Sequence, residues 1–261
     1  VSLRRLSLVA LALYAGLAIA EPSTATVLVN HNLGKRQAAA SGSYFHNFPQ
    51  DTIPRDGTWL GLFCGKSGCE VREAVVTIMS GTVPSCNEGE GYAETIHVSG
   101  NPVAVFTGVD LRPGKVATAL LATKEPSASP HFKRLRKLGH WQVQLNGKSL
   151  AISWVRMLLP KAPDEVMVRY HVSDGATKQF VFSSRTSKQA DAGRGVTPFV
   201  HWAGDLDGDG KLDLLMEIPS DKGDDDACEI SYRLYLSSRA ADGEVLHKAA
   251  QTSGHKPGCG C

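Results

Sequence analysis

The stretch HWQVQLNGKSLAISW, His140 to Trp154, decides the fold class. Asn146 and Gly147 at its centre both tolerate positive φ, which a two-residue type I′ turn demands. Closing the chain about that turn sets Val143 against Leu150 and Trp141 against Ile152 on one face, with Gln142 and Gln144 on the other. Turn chemistry and apolar alternation ask for the same register, and a slip of one residue would expose the whole apolar set. The segment reads as a β-hairpin.

Outward from it, alternating runs bounded by turn residues recur along the chain. TWLGLFC, CEVREAVVTIM, NPVAVFTGV and VATALLAT precede the hairpin, and EVMVRYHV, KQFVFSS and EISYRLYLSS follow it. Asp174 and Gly175 mark a further turn, where two-sided hydrophobicity asks for a strand covered on both faces or for a longer loop. LFCGKSGCEV reads as another hairpin, closed at its neck by Cys64 and Cys69, with Cys86 as an alternative partner for either. The best helical candidate, HFKRLRKLG, is weak. The expected fold is mainly β: antiparallel hairpins forming a sandwich or a barrel-like sheet. No internal repeat at a solenoid or propeller period is present.

The beginning of the chain, VSLRRLSLVALALYAGLAIAEPS, carries Arg4 and Arg5 ahead of an apolar run from Leu8 to Ala20, with Ala18 and Ala20 spaced as a cleavage site requires. That is the pattern of a secretory signal peptide over residues 1–20. The run is too short for a bilayer of about 30 Å, so no membrane span is expected. Residues 21–55 are broken by Gly, Ser, Ala and Pro and read as a flexible lead-in. Residues 56–261 form the β-rich region, with a division into two subdomains near 125–139 as a variant. The expected location is outside the cytoplasm, periplasmic or secreted.

The formal charge of +2 falls to zero when residues 1–20 are removed, because Arg4 and Arg5 are the only charges there. Such a chain has no global attraction for nucleic acid or anionic lipid. The basic run HFKRLRK, 131–137, is too narrow for a nucleic-acid footprint and reads as solvated. The six cysteines, Cys64, Cys69, Cys86, Cys228, Cys259 and Cys261, favour disulfides in an exported chain. Order along the chain favours bonds within the first three and within the last three, without fixing the pairing. His255, Cys259 and Cys261 also form a set suited to a soft metal, against a disulfide from the tail to Cys228.

The chemistry concentrates in GDLDGDGKLDLL, Gly204 to Leu215. Counting from Asp205, oxygen ligands at positions 1, 3 and 5, a backbone carbonyl at 7 and a carboxylate at 9 converge when a glycine at 6 permits the sharp turn. Those positions are Asp205, Asp207, Asp209, Lys211 and Asp213, with Lys211 contributing its carbonyl. Hard oxygens in loose geometry suit Ca2+, whereas zinc and copper ask for His or Cys, and neither stands in the loop. Without a cation the acids repel one another and raise one another's pKa values. Position 12 is Met216 where an EF-hand has glutamate. Pro198, Gly204 and Pro219 oppose flanking helices, so the strands PFVHWAG and LDLLMEI are expected on either side. Asp221, Asp224, Asp225 and Asp226 read as an exposed turn, with a second, weaker cation site, or an extension of the first through Glu217, as the alternative.

AGDLDGDGKLDLLM, Ala203 to Met216, resembles the calcium loops of the FG-GAP and VCBS class. The resemblance implies a loop joining two antiparallel strands, with Asp213 closing the site through one or both oxygens. It covers about 20 residues in a single copy, whereas propellers of that class need several. The chain thus resembles exported bacterial proteins that carry one such loop.

No nucleophile elbow, zincin motif, phosphate-cradling glycine motif or dinucleotide fingerprint occurs. His97, His140, His171, His201 and His247 are scattered singly, and only His201, with Trp202, stands beside the calcium loop. The expectation is a non-enzymatic exported protein in which calcium stiffens a loop for stability or for a protein or glycan partner. A hydrolase with a structural calcium is the rival and requires a cleft faced by a carboxylate or His201. A surface-adhesion module is the third reading.

Overall fold

The computed structural model describes residues 25–30, 43–48, 51–85, 89–122, 140–187, 198–219 and 229–255. Every regular element among them is a β-strand. The first half contains β1 (Thr26–Val29), β2 (Ser43–Phe48), β3 (Leu60–Gly65), β4 (Gly68–Glu73), β5 (Val76–Ser85), β6 (Gly89–Val98), β7 (Ala104–Thr107) and β8 (Gly114–Leu121). The second contains β9 (His140–Leu145), β10 (Lys148–Leu159), β11 (Ala162–Ser173), β12 (Lys178–Ser187), β13 (Phe199–Asp205), β14 (Asp213–Pro219), β15 (Glu229–Leu236) and β16 (His247–His255).

Nine of these form one sheet in the order β1-β7-β3-β4-β8-β13-β14-β15-β16. All neighbours in that order are antiparallel, so the first and ninth strands run the same way. The sheet curls until they meet, and the Gln251 amide donates to the Ala25 carbonyl at 3.2 Å. It is a barrel-like sheet, nearly closed. β12-β11-β10-β9 make a four-stranded sheet and β2-β6-β5 a three-stranded one.

The decisive hairpin is β9–β10. Asn146 and Gly147 take φ of 49° and 76°, and Leu150 pairs with Val143 and Ile152 with Trp141. All four of those apolar side chains are buried, each worth about 1.5–3 kcal/mol relative to exposure. At the next turn Ser173 pairs with Lys178, so the connection through Asp174 and Gly175 is the longer loop. Asp174 Oδ1 accepts the amides of Ala176 at 3.0 Å and Thr177 at 2.8 Å, an Asx-type turn.

Antiparallel sheets usually leave one face wet. β14 has neither face wet, because it sits between two cores. Leu215 belongs to the core shared with β1, β3, β7 and the three-stranded sheet. Leu214, Met216 and Ile218 belong to a second core against the four-stranded sheet, with Trp141, Leu150, Ile152 and Tyr170. Being gripped from both sides holds the strands on either side of the aspartate loop.

Two expectations need correction or limits. The flexible lead-in of 21–55 contains β1, whose four residues are buried at the seam of the large sheet, and β2, paired with β6. Its apolar run is short and its partners lie far along the chain, so local composition hid it. Residues 1–20, the run 131–137 and the division near 125–139 lie outside the described residues. Cys64 and Cys69 form a disulfide across the β3–β4 neck, while Cys86, Cys228, Cys259 and Cys261 lie outside the described residues.

Candidate metal centre

The aspartate loop leaves β13 at Asp205 and enters β14 at Asp213. Gly208 and Gly210 take φ of 83° and 77°, left-handed conformations that favour glycine. The loop winds upon its own carboxylates. Asp205 accepts the amides of Gly208 at 2.8 Å and Gly210 at 2.9 Å, one on each oxygen. Asp207 Oδ1 accepts the Asp209 amide at 3.3 Å, and Asp209 Oδ1 accepts the Lys211 amide at 2.8 Å.

This winding brings Asp205, Asp207 and Asp209 together. One oxygen from each lies within 4.8 Å of the others, a spacing that can hold a metal ion. All three donors are hard oxygens, as an alkaline-earth cation requires. Lys211 stands exposed at the loop's exit, and its amide is the one held by Asp209.

Asp213 has a different place. It is fully buried, and its Oδ2 accepts the Leu206 amide at 2.7 Å while its Oδ1 accepts the Ser237 amide at 2.8 Å. One carboxylate thus ties the start of the loop to the chain beyond β15. Burial is the main cause that pushes Asp213 up to about 7; the charge of Asp207 adds to this, against the hydrogen bonds from Ser237 and Leu206. A buried carboxylate facing a second negative charge is relieved by a cation placed between them.

Sequence reasoning missed the serines. Ser237 Oγ stands 3.1 Å from Asp209 Oδ2 and 3.0 Å from Asp213 Oδ1, and can donate to one of them at a time. Ser238 Oγ donates to Asp207 Oδ2. The only sequence trace is the SS pair closing EISYRLYLSS, and nothing local relates it to a loop 30 residues earlier.

Other candidates fall elsewhere. Glu217 does not extend the loop site: it is buried, with Oε2 3.1 Å from His201 Nε2, and His201 packs edge-on to Phe199. Trp202 is wholly buried in the first core and donates its indole N–H to Thr118 Oγ1 at 3.1 Å. His247 pairs with Glu244, His171 packs against Phe180, His140 is exposed and His97 half-buried. Asp221, Asp224, Asp225 and Asp226, and the side chains of His255, Cys259 and Cys261, lie outside the described residues. No helix among the described residues is long and apolar enough to cross a membrane.

Comparison of the chain with protein-family models, with curated proteins and with solved structures finds no match in any of the three.

Proposed function

We propose that the protein is an exported calcium-binding protein whose ion rigidifies the 205–213 loop, for stability and for holding a partner. The observation that carries this reading is the convergence of Asp205, Asp207 and Asp209 within 4.8 Å, on a loop clamped at its base by Asp213 and Ser237. Calcium fits this set better than magnesium. It accepts irregular oxygen cages of six to eight ligands at about 2.3–2.6 Å, whereas magnesium demands a tight octahedron. Asp205, Asp207 and Asp209 and the Lys211 carbonyl would hold it, with Asp213 behind them clamping the loop. The likeness of residues 203–216 to FG-GAP and VCBS loops supports the same ion, and the leader-like residues 1–20 support export to the periplasm or beyond.

The ion's role on this reading is structural. It offsets the repulsion among the acids and fixes the loop relative to the β9–β10 hairpin. Differential scanning calorimetry with and without a chelator tests it. At calcium about 100 times its dissociation constant the gain is about 2.7 kcal/mol, or about 5–10 °C in Tm for a chain of this size. Calcium restores that shift and equimolar magnesium does not. A Tm indifferent to chelation sinks the proposal.

A further inference from the structure

We propose that the groove beside the aspartate loop binds an acidic sugar, a pyranose carrying one carboxylate, and that the loop's cation makes this binding possible. The inference rests on the calcium reading above and names the ligand class for the partner. The groove, a cavity of about 450 Å³, opens between the β9–β10 turn, the Asp174 turn, the aspartate loop and the approach to β16. That volume lies in the range of small-molecule sites.

Its lining is divided by chemistry. Leu150 and Leu212, both buried, supply an apolar floor, the complement of the C–H face of a sugar ring. Ser149 and Asp174 supply hydroxyl and carboxylate groups suited to sugar hydroxyls. Lys148 and Lys211 supply two ammonium groups against the one carboxylate of Asp174. Asp174 is held below the usual carboxylate range by the Thr177 and Ala176 amides, with the charge of Lys211 assisting. Lys211 and Asp174 therefore sense each other, and a surplus of positive charge remains for an anion.

Ser237 connects this groove to the acids. It lines the cavity and its hydroxyl touches Asp209 and Asp213. With the loop acids unneutralised, the field over the groove repels an anion; a divalent cation offsets two of their charges and weakens that repulsion. Sugar and calcium then favour each other reciprocally. On this reading Lys211 would offer its carbonyl to the ion and its side chain to the sugar, so Lys148 is the lysine that reports on the sugar alone.

The test is isothermal titration on the calcium-loaded full chain, after a calcium titration on the same sample. Probes are the methyl glycosides of galacturonic, glucuronic and mannuronic acids, each beside its neutral parent sugar, and of N-acetylneuraminic acid. At least one acid saturates the protein one to one, about tenfold or more tighter than its neutral parent where there is one. The Lys148→Met variant, outside the aspartate loop, loses about tenfold in that affinity with its calcium isotherm unchanged. Absent binding by every acid, equal binding of acid and neutral sugar, or undiminished binding by Lys148→Met overturns the proposal. Failure of the ion reading shows separately, as a flat calcium titration.

Discussion

At Asp207 and Asp213 the same chain carries two carboxylates with opposite duties. Asp207 is partly exposed and spends its charge on the loop site; Asp213 is buried and spends its oxygens on the Leu206 and Ser237 amides. Asp207→Asn keeps the shape and removes the charge that opposes Asp213. In chelator, thermal melts should find this variant as stable as the parent or more so, while calcium affinity falls about tenfold or more. A structural role for Asp207 alone would give the reverse, a lower Tm without any loss of ion affinity. Asp213→Ala leaves two buried amides unpaired, each worth about 1–3 kcal/mol. Denaturant unfolding in chelator should therefore show a loss of about 2–6 kcal/mol.

Between elements, the aspartate loop is placed by how closely β13 lies against β8. Trp202 pairs with Leu121, and the register shifts between Ala203 and Gly204. At Gly204 a Cβ would stand 2.2 Å from the Ala117 carbonyl oxygen and 2.4 Å from the Trp202 ring. Backbone on one side and a buried indole on the other leave nothing free to yield. Gly204→Ala should cost about 1–3 kcal/mol in a denaturant melt, and an unchanged midpoint would show that the two strands are less tightly apposed. The same scale shows which elements can be read from residues alone. The β9–β10 hairpin was legible because its turn and its alternation lie within 15 adjacent residues. β6 was not, because GEGYAETIHV carries glycines and glutamates, and it is held by pairing with β5 and β2. β16, HKAAQTSGH, is poor in β-formers and is a strand through its ladder to β15.

For the molecule as a whole, the curled nine-stranded sheet depends on pairings that no local pattern contains. Val27, at the start of the described chain, pairs with Phe106, and the sheet's two ends meet through Ala25 and Gln251. The mainly antiparallel fold could be inferred from alternation, but the strand order, the two cores and the seam could not. The acid cluster divides in the same way. The spacing of Asp205, Asp207 and Asp209 announces itself, whereas Ser237 and Ser238 enter the site only because β15 lies beside β14. What the loop does for the protein therefore depends on whether, once assembled, it takes up calcium. Calcium titrated by calorimetry into the chelator-stripped full chain measures that most directly. The expected result is a saturable isotherm assignable to the 205–213 loop, abolished by Asp209→Ala and not reproduced by magnesium. No heat of binding, or an isotherm that Asp209→Ala leaves untouched, would contradict it.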